Sequence, residues 1–167
     1  RIAVGGDSAG ANLALAACLV LRDRGPGPRP AGILSNYGFF DADFETPSQR
    51  RFGDPGAMLT RDELAAFLDN YLGPSWSAPS PLALPALADL KGLPPSFHVI
   101  AECDPLSDGD LAMAARLRAA GNQADSVVYP GATHSFLEAV SISALADRAL
   151  ADGAAWLRRT LAADPPA

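Results

Sequence analysis

The chain has 167 residues, 49% hydrophobic and only 19% charged, with 15 Gly and 15 Pro. That balance describes one packed globular core and excludes a disordered chain, a collagen-like repeat and a coiled coil. A net charge of −6 without a basic run argues against binding nucleic acid or an anionic membrane surface, and no apolar run approaches the roughly 20 residues of a membrane span.

In chain order, Ile2-Ala3-Val4 reads as the end of a buried strand bounded by Gly5-Gly6. The chain opens inside this element at Arg1, with no initiator Met or polar lead-in, so a fragment of a longer protein is expected. A cytoplasmic location is expected, with the protein's own N-terminus outside this sequence. Residues 9–24 have helical composition and close on Arg22, Arg24 and Gly25 before Pro26. Ala31 to Asn36 is a second strand.

From Phe40 to about Pro95 the pattern loosens into a Pro-rich stretch, of the length that usually carries function or covers a site. Within it, Thr60-Arg61-Asp62-Glu63 is a capping box that predicts a helix over 61–72, ended at Gly73-Pro74. Its aromatic residues, with Phe39, are expected either to form a partial wall beside Ser8 or simply to cover the flank of the sheet, rather than to make a core of their own: Phe40, Phe44, Phe52, Phe67, Tyr71 and Trp76. Regularity returns with a strand over 97–101, a helix over 108–120, a strand over 127–129 ended by Pro130-Gly131, and a helix over 141–163. That last helix carries Ala146, Leu150, Ala154, Leu157 and Leu161 along one face. The alternation predicts an α/β domain, a mostly parallel sheet with helices on both faces and an irregular insertion at about 40–95. The edge strand at 126–129 offers a place for homodimer pairing, although nothing in it demands one.

Gly6-Asp7-Ser8-Ala9-Gly10 is a G-x-S-x-G segment between a strand and a helix. A serine on so sharp a turn is exposed, and the two glycines let strand and helix approach. The Ala9 N–H then points to where an oxyanion would form, at the positive end of the helix. A serine nucleophile needs a base, and only two histidines exist. His98 lies within an apolar strand and reads as a satisfied core histidine. His134 follows a strand's carboxyl end, where functional groups of parallel sheets gather, and is taken as the base. Glu102, Asp104 and Asp108 all follow the 97–101 strand. Asp108 reads as a helix N-cap with Asp110 in the first turn, whereas Asp104 sits at the turn stiffened by Pro105 and is the preferred acid. One loop histidine gives this acidic cluster too few companions for a metal site. Cys18 and Cys103 are too few for a zinc cage or disulfide framework and are expected to be small buried hydrophobes.

The order Ser8, Asp104, His134 and several further motifs resemble the hormone-sensitive-lipase-like esterases, the α/β-hydrolase fold-3 group. The motifs are Gly-Asp-Ser-Ala-Gly-Ala-Asn-Leu-Ala (6–14), Ser-Pro-Leu (80–82), Asp-Leu-Lys-Gly-Leu-Pro-Pro (89–95), Ala-Glu-Cys-Asp-Pro-Leu-Ser-Asp (101–108) and His-Ser-Phe (134–136). The resemblance implies hydrolysis of small-molecule carboxylic esters of short to medium acyl chains, without metal or organic cofactor. It carries over Ser8 as nucleophile, Asp104 as acid and His134 as base. The family's upstream His-Gly-Gly-Gly segment, which completes the oxyanion hole, is not in this sequence. Residues 1–167 are therefore expected to be a partial α/β-hydrolase domain lacking the N-terminal half. Two rival readings stand beside this one: a non-catalytic binding module on the same fold, which an activated serine would exclude, and an inactive truncated hydrolase fragment, since only the Ala9 N–H of the oxyanion hole is encoded here.

Overall fold

The computed structural model describes residues 1–73 and 77–162. Four strands form one parallel sheet in the order β1 (Val4–Asp7), β2 (Ile33–Asn36), β3 (Ser96–Cys103), β4 (Ala124–Thr133). Register is fixed by Val4 beside Ile33, Ile33 beside Ser96, and Ser96 beside Ala124. Among the described residues five α-helices accompany it, with two short 3-10 turns at Pro85–Leu87 and Phe136–Ala139: α1 (Ala9–Asp23), α2 (Pro47–Phe52), α3 (Arg61–Leu72), α4 (Ser107–Ala119) and α5 (Ala144–Ala162).

Side chains alternate across β3, and this separates two cores. On one face, Leu15 and Leu19 of α1 meet Met113 and Leu117 of α4, with Ile33 and Phe40. On the other, Phe97, Val99 and Ala101 meet Ala146, Ala149 and Trp156 of α5. The expected α/β fold with helices on both faces is what the chain adopts. No helix among the described residues is long and apolar enough to cross a membrane.

Several expected boundaries move. Strand β1 runs over Val4–Asp7 rather than 2–4, and Ile2 is exposed. Its glycines are strand residues because they pair with Leu34 and Ser35 of β2, and β2 lies too close to Gly5 for a side chain: a Cβ there would stand 2.8 Å from the Leu34 carbonyl oxygen. Strand β4 is not ended by Pro130-Gly131 but continues to Thr133, and the pairing shifts between Ala101 and Cys103 to take up the extra residues. A proline is tolerated there because β4 borders the sheet. Helix α4 starts at Ser107 with Leu106 before it, so Asp108 is not the N-cap and lies in the first turn with Asp110. Helix α5 begins at Ala144 and buries Ala146, Ala149, Gly153 and Trp156, while Leu150 is 41% exposed. Of the expected stripe, Ala146 is buried and Leu157 packs against the same core, but the buried positions that follow Ala146 are Ala149, Gly153 and Trp156, each one residue before an expected one; Ala163 lies outside the described residues.

The capping box stands as expected. Thr60 accepts from the Glu63 N–H, and Glu63 accepts from the Thr60 N–H. Helix α2 lies within the stretch whose pattern loosens; Thr46 caps it through the Gln49 N–H and Pro47 opens it, an ordinary helix start.

Candidate active site

Strand β1 delivers Ser8 into the turn before α1 with φ 55° and ψ −115°. A residue bearing a Cβ seldom holds positive φ, so this backbone is strained and must be held by its surroundings. The Ser8 N–H donates to the Asn36 carbonyl (2.9 Å), and the Ser8 carbonyl accepts from Ala11 and Asn12 at the start of α1. Gly6 is sterically required, since a Cβ there would lie 2.4 Å from the Gly10 carbonyl carbon. Gly10 is not: a Cβ on it meets nothing within 4 Å. Ala9 begins the first turn of α1, whose leading amides lack a carbonyl four residues back.

The carboxyl ends of β3 and β4 bring the other two residues to the serine. The His134 Nε2 lies 3.0 Å from Ser8 Oγ, and its Nδ1 lies 2.7 Å from Asp104 Oδ2. Asp104 is 1% exposed and His134 8%. The second Asp104 oxygen accepts the Leu106 N–H at 2.9 Å, which fixes the carboxylate plane. With Nδ1–H donating to Asp104, Nε2 is left to accept the Ser8 hydroxyl proton. That is the arrangement general-base activation of an alcohol needs.

The other sequence candidates lie elsewhere. Glu102 is exposed and accepts the Gly131 N–H (2.8 Å), and Asp108 accepts the Ser48 N–H (2.8 Å). Neither is bonded to His134. His98 is fully buried, with Nδ1 2.6 Å from Asp110 Oδ1 and Nε2 3.2 Å from Ser96 Oγ, so the core reading holds for it.

Residue types alone did not point to Tyr37. Its hydroxyl donates to Asp7 Oδ2 (2.6 Å) while Asn36 Nδ2 donates to Asp7 Oδ1 (2.8 Å). Its ring meets the His134 ring edge-on at 5.1 Å between centroids. Burial and the Asp7 carboxylate together push the Tyr37 phenol up, so it stays a hydrogen-bond donor. The one hint in the sequence is a lone tyrosine at the carboxyl end of an apolar strand.

A cavity of about 350 Å³ opens beside His134, with Phe52, Met58, Leu59, Cys103 and Pro105 in its lining. Among the described aromatic residues expected as a wall, only Phe52 lines it. Phe39 instead centres a small core with Leu59, Leu64, Leu68, Leu84 and Leu106, against which Phe44 rests. Phe40 packs into the α1 core, and Phe67 and Tyr71 are exposed. Trp76 lies outside the described residues. The wall expectation is thus corrected: α3 supplies enough leucine to bury Phe39 locally. Of the cysteines, Cys18 is buried, and burial pushes its thiol up to about 11. Cys103 is only half-buried and borders the cavity, contrary to expectation.

Comparison with known proteins agrees with this architecture. Residues 1–138 match the family described as alpha/beta hydrolase fold. A carboxylic ester hydrolase, LipN of Mycobacterium tuberculosis, is 39% identical over 142 residues, covering 82% of this chain and 38% of that protein. An acetyl esterase of Salmonella paratyphi A is 36% identical over 156 residues, covering 92% of this chain and 48% of that protein. Among solved structures, a thermostable carboxylesterase cloned from a metagenomic library superposes with TM-score 0.90 at 34% identity, covering 99% of this chain and 56% of that one. A bacterial heroin esterase gives 0.85 at 33%, covering 98% and 52%. The chain spans about half the length of the relatives it matches.

Proposed function

The chain belongs to the alpha/beta hydrolase fold family, of the hormone-sensitive-lipase-like type, and from that premise we propose that it hydrolyses carboxylic esters of short to medium acyl chains through Ser8, His134 and Asp104. The observation that carries the reading is the continuous line from the Ser8 hydroxyl through both nitrogens of His134 to a buried Asp104 carboxylate, with contacts of 3.0 and 2.7 Å. Kinship with carboxylic ester hydrolases and acetyl esterases supports it.

In this reading His134 Nε2 takes the hydroxyl proton as Ser8 Oγ bonds to the ester carbonyl carbon. The carbonyl oxygen becomes an oxyanion facing the Ala9 N–H, one donor of its binding site. When the tetrahedral centre collapses, the bond to the alcohol oxygen breaks and His134 gives that oxygen its proton. Water then repeats the sequence on the acyl-serine, losing a proton to His134, and the acid leaves as Ser8 Oγ recovers it. Asp104 holds Nδ1 protonated throughout and steadies the imidazolium. The cavity beside His134 offers one arm of the ester a mostly apolar seat, formed by Phe52, Met58, Leu59 and Pro105 with Arg51 and Asp54 at its border.

The test compares p-nitrophenyl acetate, butyrate and decanoate. The expected result is turnover that falls toward the decanoate and that Ser8→Ala lowers by at least ~10³-fold. Equal turnover by wild type and Ser8→Ala would remove Ser8 from the reaction.

A further inference from the structure

On the esterase reading above, we propose that Asp110, paired with His98, is a positioning residue for the Ser8 and His134 site. It acts by gripping the turn that follows β2.

That turn bears on both residues. The Phe39 N–H reaches the Ser8 carbonyl (3.4 Å), and the Tyr37 ring lies edge-on to His134. Yet Tyr37 has φ 39°, a left-handed backbone that a bulky residue keeps only when its surroundings impose it. The next residue is Gly38, where a Cβ would fall 2.2 Å from the Phe40 ring and 3.1 Å from Ser35 Oγ. The turn is therefore both strained and tightly enclosed. The grip on it comes from α4: the Gly38 N–H donates to Asp110 Oδ2 at 3.0 Å.

Asp110 is fully buried, and its other oxygen lies 2.6 Å from His98 Nδ1. The Phe40 ring stands edge-on to His98 at 6.1 Å, closing the pair off. Burial pushes the Asp110 carboxyl up, opposed by His98 and the Gly38 amide. Such a pair is a costly way to fill a core, and apolar side chains of similar volume are often as stable or more so. What apolar side chains at these positions would not do is accept the Gly38 N–H. The pair sits under the α1 and α4 face, and neither member touches the reacting groups. Its effect on them passes through Gly38 to Tyr37 and Phe39.

The experiment compares Asp110→Leu with Asp110→Asn. The asparagine keeps an oxygen for Gly38 and turns its amide toward His98, which accepts at Nδ1 after a tautomer change, with Nε2–H then donating to Ser96. The leucine gives Gly38 no partner. For p-nitrophenyl acetate, Asp110→Leu is expected to lose about 10- to 100-fold in kcat per folded molecule, since displacements near 1 Å cost that much. Its KM should stay within about threefold, and Asp110→Asn should keep kcat within about threefold of wild type. An unchanged kcat in Asp110→Leu overturns the role, as does an Asp110→Asn loss equal to that of Asp110→Leu. Hydrogen exchange of the Gly38 amide in wild type and Asp110→Asn serves if the leucine variant does not fold. Protection comparable to the β3 amides is expected, and exchange at an open-loop rate in wild type overturns the grip. This arm needs no hydrolysis, so a protected Gly38 in a chain that turns over no ester would sink the esterase reading and not the grip.

Discussion

Replacing Asp104 by Asn changes one atom and should abolish most of the activity. The reason lies in what holds the carboxylate. Its Oδ1 accepts the Leu106 N–H at 2.9 Å while Oδ2 faces His134 Nδ1 at 2.7 Å. In Asp104→Asn the amide oxygen must stay on Leu106, because an NH2 there would leave two donors opposed in a site 1% exposed. The NH2 group therefore faces Nδ1, which must give up its proton and accept. The proton moves to Nε2, and the nitrogen 3.0 Å from Ser8 Oγ turns from acceptor into donor. The base is lost with the geometry intact. A wrong tautomer of this kind costs about 10⁴ in kcat, or roughly 5.4 kcal/mol of barrier. The assay is hydrolysis of p-nitrophenyl acetate at pH 7 to 8 beside two controls, Glu102→Gln and Asp108→Asn. Both controls should stay within about threefold of wild type because neither carboxylate is bonded to the imidazole. Asp104→Asn keeping a tenth or more of wild-type kcat would refute the reasoning. A control that falls as far as Asp104→Asn would do the same for the choice of acid.

Trp156→Ala should destabilise the chain by about 3–5 kcal/mol in urea unfolding, because its ring is 4% exposed and stacks on Phe97 at 5.9 Å. A loss below about 1 kcal/mol would contradict the packing of α5 on β3. Thr60→Ala removes one half of the α3 capping box and should cost about 1 kcal/mol while kcat is unchanged. Iodoacetamide at pH 8 should alkylate Cys103 and spare Cys18, whose thiol is pushed up to about 11 by burial; peptide mass mapping reads the outcome, and a Cys18 adduct in folded protein would contradict it. The same shift has a sign for stability. A thiol raised from 9.0 to about 11 favours the folded state fully below pH 9, and that contribution is lost as pH rises toward 11. Urea midpoints should fall across that window more steeply in wild type than in Cys18→Ala.

The features legible in the sequence were those set by local chemistry. The Gly6 to Gly10 turn needs glycine where the chain crowds itself, and the Thr60 to Glu63 box satisfies its own amides within four residues. The strand-helix alternation placed His134 and the acidic loop at the same end of the sheet as Ser8. Long-range contacts decided the rest. Glycines at 5 and 6 look like a strand end, but pairing with Leu34 and Ser35 of β2 makes them strand residues. Pro130-Gly131 looked like a stop, but the shifted pairing with β3 carries β4 past it. Leu150 looks like part of the buried stripe of α5, yet it is exposed and the small residues Ala149 and Gly153 take the buried positions, while Leu157 packs at the border of the core. Phe39 looked like part of a substrate wall, and three leucines at 59, 64 and 68 took it into a core. Tyr37 and His98 find their partners on other elements, 30 and 12 residues away, so the sequence carries no more than the hint of a tyrosine at a strand's carboxyl end.

The central claim is that His134 makes Ser8 a nucleophile. Intact-mass and peptide-mass measurement of labelling by a fluorophosphonate tests it most directly, since only an activated serine displaces the fluoride. The account predicts one adduct, on Ser8, absent from Ser8→Ala and formed at least ~10³-fold more slowly in His134→Ala. An unlabelled Ser8 in folded wild-type protein, or labelling at the same rate in His134→Ala, would contradict it.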